Sequence, residues 1–190
     1  CLLRMLKKKE NHNPARAISK LIIDIPELTA REDHRGIVMA TVVCVRIGEE
    51  AFGTNAGFGQ LMLTIRAEFE SELDALDAEI CARARAYARQ DGITNVEVQY
   101  RDSFPETRNT PDAVAAVRKA RLECGLPEAR WDEPFRSSED FGCYTKLTSG
   151  ALFYIGCGTR HAKLHTREYD FNDEIIEPAV DMMFRLAQDA

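Results

Sequence analysis

No apolar run in this 190-residue chain approaches the length of a membrane span, and no Cys-x-x-Cys pair occurs among its six cysteines. A spanning helix needs about 20 consecutive apolar residues, so the first absence argues against one. The second argues against a structural zinc knuckle; the scatter of Cys1, Cys44, Cys81, Cys124, Cys143 and Cys157 suits reduced thiols better than a disulfide framework. Clustered positive charge is also scarce: Lys7, Lys8 and Lys9 form one short run in a chain of formal charge -6. Nucleic-acid grooves and anionic membrane surfaces select for such clusters, so neither is an expected partner. Cys1 to Leu6 is too brief for the apolar core of a signal peptide, and a soluble, cytoplasmic protein is the expectation. Internal repeats and low-complexity tracts are missing as well.

What the chain does have is enough apolar mass, 45% hydrophobic residues, to build a core. Asn13-Pro14 reads as a helix start, with Ala17, Ile18, Leu21, Ile22 and Ile25 on one face and Pro26 helping to end the helix. No periodicity precedes it, so residues 1–12 are expected to be poorly ordered. The β-branched run Ile37 to Val45 predicts a strand. Gln60 to Phe69 alternates, with Leu61, Leu63, Ile65, Ala67 and Phe69 on one face and Met62, Thr64, Arg66 and Glu68 on the other. Ser71, with Asp74 three residues on, is expected to cap a long helix that Gly92 stops. Val96, Val98 and Tyr100 then alternate as a third strand. This order predicts an open antiparallel sheet with two helices on one face, short of one strand at its front. Phe104 to Asn109, with Pro105 inside, reads as a domain boundary; a helix from Thr110-Pro111 to Gly125, a loop holding Trp131 and a closing amphipathic helix from about Pro178 follow.

The polar chemistry gathers between Ser137 and Asp173. It comprises an acidic turn, Ser137 to Gly142; an apolar run of strand length ending in a glycine loop, Ala151 to Gly158; and a histidine among carboxylates, Leu164 to Asp173. His165 follows a predicted buried strand and a glycine loop, where α/β enzymes place ligands, and neutral imidazole is a common metal ligand. One histidine without a second His or Cys at ligand spacing also fits a surface or capping role. Glu139 and Asp140 suit metal ligation, general base work or support of a ligating imidazole, and equally suit the positive end of a short helix capped by Ser137 or Ser138. Asp170, Asn172 and Asp173 are open to the same capping reading. Gly156, Cys157 and Gly158 leave amides unobstructed for a carboxylate or phosphate, or form a plain tight turn. Arg66 suits either a substrate carboxylate or a solvated ion pair.

Asn13-Pro14-Ala15, Phe52-Gly53 through Thr64-Ile65-Arg66-Ala67, Ser138-Glu139-Asp140-Phe141, Tyr154 to Gly158, and Leu164-His165-Thr166 through Asp170-Phe171 together resemble the C-terminal half of peptidase family M20, the aminoacylase, hippurate hydrolase and carboxypeptidase group. The resemblance implies an α+β chain. Residues 1–103 would be an incomplete ferredoxin-like lid and dimerisation domain, an antiparallel sheet with two helices. Residues 104–190 would be the C-terminal part of an α/β zinc-peptidase domain. It implies two divalent metal ions, zinc foremost, in the complete enzyme, and hydrolysis of an amide or peptide bond beside a free carboxylate in an N-acyl amino acid or small peptide. His165 would be a metal ligand, Ser138, Glu139 and Asp140 would stand beside the site, and Gly156, Cys157 and Gly158, with Arg66, would meet the substrate carboxylate. The family's remaining ligands, its general base and the lid's first-strand motif have no counterpart here. The chain is therefore expected to be a fragment that forms homodimers, holds no metal tightly and does not catalyse alone. A non-catalytic dimerisation or assembly module is the alternative.

Overall fold

The computed structural model describes residues 1–6, 12–129, 131, 133–159 and 161–188. The chain divides into two compact units, Cys1–Ser103 and Phe104–Ala190.

In the first unit, strands β1 (Leu2–Leu6), β2 (Val38–Ile47), β3 (Phe58–Ala67) and β4 (Asn95–Gln99) alternate with helices α1 (Ala15–Thr29) and α2 (Glu70–Gln90) in the order β1-α1-β2-β3-α2-β4. The sheet runs β2-β3-β1-β4, and every neighbouring pair is antiparallel. The expected gap at the front of the sheet is thus filled. β1 lies in the middle, with Leu3 between Leu61 of β3 and Val98 of β4, and Cys1 extends the ladder by exchanging backbone hydrogen bonds of 2.8 and 2.9 Å with Leu63. β1 has five residues, with half-buried Arg4 among apolar neighbours, too few to show either a clear alternation or a long apolar run. The expectation of disorder is corrected for residues 1–6 and for His12, whose Nδ1 donates to the Asp91 carbonyl at 2.7 Å; residues 7–11 lie outside the described residues.

Leu3, Met5, Leu61 and Leu63 from the sheet meet Ile18, Leu21, Ile25 and Leu28 of α1 and Leu76, Ile80 and Ala84 of α2 in one core. α1 does not stop at Pro26 but continues to Thr29. A proline inside a helix forfeits one backbone bond, yet the extra turn buries Leu28 to 2% exposure, and the Thr29 hydroxyl bonds the Ile25 and Pro26 carbonyls at 3.2 Å. Asn13 does cap, accepting from the Ala15 amide at 2.9 Å. α2 starts one residue ahead of its expected cap, at Glu70, so Ser71 sits inside it; the Ser71 hydroxyl instead accepts from Arg35 at 2.5 Å. Its end is as expected: Gly92 adopts φ +71, and the Gly92 and Ile93 amides return to the Arg89 and Ala88 carbonyls in a Schellman motif sealed by buried Ile93.

In the second unit, α3 (Pro111–Glu123), α4 (Gly142–Thr145) and α5 (Ile176–Gln188) are joined by irregular segments. The helix beginning at Thr110-Pro111 and ending at Gly125 (φ +67) forms as the sequence indicates. The apolar run Ala151 to Gly158 does not form a strand. A strand needs a ladder partner. Here Asn109 stands in for one at a single residue, its side-chain amide donating to the Leu152 carbonyl at 2.8 Å and accepting from the Leu152 N–H at 2.9 Å.

Candidate functional site

His165 sits in a turn closed by the Thr166 amide donating to the Lys163 carbonyl at 3.2 Å, and its φ is +67. Positive φ is uncommon outside glycine and costs of order 1–3 kcal/mol, and such residues collect at functional sites. The Thr166 hydroxyl reinforces the turn with a 2.8 Å bond to the same carbonyl. The imidazole is exposed and bonds to none of the described side chains, so its ring nitrogens are open to an incoming ligand.

Glu139 braces its own turn and does not cap α4, whose N-cap Phe141 has no side-chain cap bond. Its Oε1 accepts from the Asp140 and Phe141 amides at 2.8 and 3.3 Å, just ahead of α4. Ser138 and Asp140 flank it on the surface. Neither Ser137 nor Ser138 caps α4, and no hydrogen bond or ion pair joins the acidic turn to His165 among the described residues. Gly142 follows because a side chain there would collide with the Glu106 carbonyl, 2.6 Å from where its Cβ would stand; the turn is thereby held against the Pro105–Glu106 segment.

The loop Gly156-Cys157-Gly158 is open. A Cβ at either glycine would meet nothing within 4 Å, and Gly158 adopts φ +94. Asn172 anchors it from the other side of His165: its Nδ2 donates to the Cys157 carbonyl at 3.2 Å while its Oδ1 accepts from the Glu174 amide, capping the 3₁₀ turn Asp173–Ile175. The sequence suggests Asn172 as a cap; its second bond to the glycine loop, and the role of Asn109, carry no local signal because both partners are distant in the chain. Arg66 lies on β3 opposite Met39, on the sheet face away from the helices, in the first unit, whereas His165 and the glycine loop belong to the second.

Among the described residues no three His, Cys, Asp or Glu side chains come together in a group that could hold a metal ion. The donor set present therefore does not fit a metal site by itself: His165 is one open donor, and a zinc site requires at least three protein ligands.

Residues 4–189 match peptidase family M20/M25/M40. The chain belongs to that family. An uncharacterized hydrolase of Staphylococcus haemolyticus (strain JCSC1435) is 27% identical over 133 residues, 67% of this chain and 34% of that protein. Among solved structures, the YXEP protein of Bacillus subtilis, described as a dinuclear metal binding peptidase from the M20 family, superposes with a TM-score of 0.75 at 17% identity, covering 98% of this chain and 48% of that one. A protein of methicillin-resistant Staphylococcus aureus assigned as an aminohydrolase gives 0.79 at 17% identity, covering 99% and 51%. At such identities the structures establish the shared fold. The chain spans about a third of the curated relative and about half of each of these two structures. No helix among the described residues is long and apolar enough to cross a membrane.

Proposed function

We propose that this chain is the C-terminal half of a metal-dependent amidohydrolase that cleaves an amide or peptide bond beside a free carboxylate, in an N-acyl amino acid or small peptide. The family match across residues 4–189 carries the reading. In it, His165 supplies one ligand to a site of two divalent ions, zinc foremost, whose other ligands and general base come from polypeptide outside this sequence. Bound there, such ions would polarise the scissile carbonyl and a water. His165 contributes an open donor on a turn held by Thr166 and Lys163. Glu139 keeps the acidic turn folded beside Ser138 and Asp140. Gly156, Cys157 and Gly158 receive the substrate carboxylate on backbone amides. The first unit is a ferredoxin-like lid through which two copies associate, and the enzyme works in the cytoplasm. By itself the chain neither hydrolyses substrate nor holds zinc tightly.

The unit containing His165 offers further support. Most of its large apolar side chains are exposed, as expected of a surface that more of a catalytic domain covers. The test is to co-express the chain with the N-terminal half of a family member and compare it with the same pair carrying His165→Ala. Loss of bound metal and of N-acyl amino acid hydrolysis is the expected result. Undiminished metal content and turnover would refute the assignment, and a pair that never hydrolyses would favour the non-catalytic assembly module.

A further inference from the structure

We propose that Asn172 is a positioning residue: by gripping the Cys157 carbonyl it turns the Gly158 N–H into the open side of the glycine loop, where that amide receives a carboxylate. The proposal rests on the functional reading above, which takes this loop as the carboxylate-binding element. It adds which amide does the binding and which side chain aims it.

The aim follows from one planar peptide. The Cys157 carbonyl and the Gly158 N–H belong to the same peptide unit, and no peptide bond among the described residues is cis. In a trans unit the two groups point in opposite directions. Asn172 Nδ2 donates to the Cys157 carbonyl at 3.2 Å, so the Gly158 N–H faces away from Asn172. The space around Gly158 is open: a Cβ there would meet nothing within 4 Å, and its amide bonds to none of the described residues. The φ of +94 that presents this amide is one glycine adopts without steric cost. A carbonyl that already accepts a hydrogen bond also polarises its own peptide N–H, strengthening it as a donor by about 10–30%.

Asn172 can aim the loop because it is itself fixed. Its Oδ1 accepts from the Glu174 amide at 3.1 Å, and its backbone carbonyl accepts from the Ile175 amide at 3.2 Å. Both bonds tie it to the 3₁₀ turn Asp173–Ile175, which runs directly into α5, and α5 packs against α3. Cys157 and Asn172 are 15 positions apart, with His165 near the middle of the stretch they close. The other hydrogen bonds described inside that stretch span three positions or fewer and do not join its ends. Loss of the Asn172 donor therefore leaves the Cys157–Gly158 peptide plane free to turn.

A mere capping role makes a different prediction. Serine caps a helix start about as well as asparagine, but it is too short to keep the Nδ2 bond. Asn172→Ser thus retains the acceptor for Glu174 and removes the donor to Cys157. The isotope-labelled 190-residue chain is titrated with acetate and with acetamide, its neutral counterpart, at constant ionic strength, and the Gly158 amide is followed by NMR. Acetate is expected to shift this resonance at a concentration at least about tenfold below acetamide. Asn172→Ser and Asn172→Ala are each expected to move the Gly158 resonance in the free chain and to raise the acetate midpoint about tenfold. The serine variant alone keeps the Glu174 amide as protected as in the parent.

An Asn172→Ser chain that binds acetate as the parent does would reduce Asn172 to a cap and overturn the proposal. A parent Gly158 amide that answers both compounds equally, or neither, would overturn it as well. In the co-expressed pair, Asn172→Ser is expected to raise KM for N-acyl amino acids about tenfold, with kcat within about twofold and metal content unchanged, because substrate and transition state share the carboxylate. The functional reading is judged separately by His165→Ala: metal that persists without His165 sinks the enzyme assignment and spares the Gly158 result. Metal lost with His165, beside an unchanged KM in Asn172→Ser, does the reverse.

Discussion

The two units of this chain bury their apolar side chains to opposite extents. In Cys1–Ser103 a contiguous core links sheet and helices, with Leu3, Met5, Ile18, Leu21, Leu61 and Ile80 each at 1% exposure or less. In Phe104–Ala190 the buried hydrophobic side chains among the described residues are Ala120 and Met182, whereas Leu147, Val180, Met183 and Phe184 are each at least 59% exposed. Apolar burial is the main favourable term in folding. The first unit therefore has its own source of stability, and the second is held by helix caps, turns and side-chain bonds to backbone. The unit with the candidate chemistry is the one that leaves most apolar surface uncovered, the one whose stability depends most on what it is joined to.

The contrast is tested most strongly by truncation. Leu3→Ala, in the central strand, is expected to cost about 2–5 kcal/mol in chemical denaturation, because it removes buried surface and leaves a cavity between two helices and two strands. Val180→Ala on α5, 60% exposed, is expected to change stability by no more than about 0.5 kcal/mol. Similar costs at the two positions would abolish the distinction. Hydrogen exchange sharpens it without mutation. Amides of β1, β3 and α2 should exchange at least about a hundredfold more slowly than those of α3 and α5, since local opening follows the density of buried contacts; equal protection in both units would show that the second has a core of its own.

A smaller effect separates the units by pH. His34 is bonded on both ring nitrogens, Nδ1 to Glu72 and Nε2 to the Leu28 carbonyl, both at 2.9 Å. Only the imidazolium can donate to both. The Leu28 carbonyl and then the Glu72 carboxylate raise the His34 pKa above its usual 6.5, while His34 and then Arg35 lower that of Glu72. The histidine's contribution is fully present below its unfolded pKa and fades as pH rises through the raised folded value; the glutamate's is present above its unfolded pKa and fades as pH falls through the lowered one. Thermal stability of the first unit should thus decline from about neutral pH upward, and His34→Gln should flatten that slope. A variant with the parent's slope would remove His34 from the account. Asp33, also near this ring, has its own pKa lowered by Arg31 and stays ionised across the window.

How legible these features were follows from the range over which each is specified. α1, α2 and α3, with strands β2 to β4, are written in local periodicity and stop signals such as Gly92 and Gly125. β1 was missed because five residues, with Arg4 among apolar neighbours, are too few to show a period. The strand expected at Ala151–Gly158 failed for a different reason: an apolar run states that a segment can be buried and not that a partner is at hand. Pro26 misled because the burial of Leu28, three-dimensional information, outweighs a local breaker. At the site, His165 and the glycine loop stand out by residue type. The anchoring by Asn109 and Asn172 joins residues that nothing in the linear order connects.

Asn109 provides the smallest test of the contrast. In the first unit Leu3 has strands on both sides, whereas Leu152 in the second has both its backbone groups satisfied by one exposed side chain. Intramolecular hydrogen bonds contribute about 1 kcal/mol each when solvent competes poorly, and less at the surface. Asn109→Ala is therefore expected to cost about 1 kcal/mol, and hydrogen exchange should localise the loss to Thr110 and residues 150–152, leaving the first unit's amides unchanged. Asn109→Asp keeps the acceptor for the Leu152 N–H and loses the donor to its carbonyl, so it should fall between the two. If neither variant alters exchange at Leu152, the side-chain amide is not what holds that segment, and the apolar contacts of Leu152 and Phe153 would have to do so.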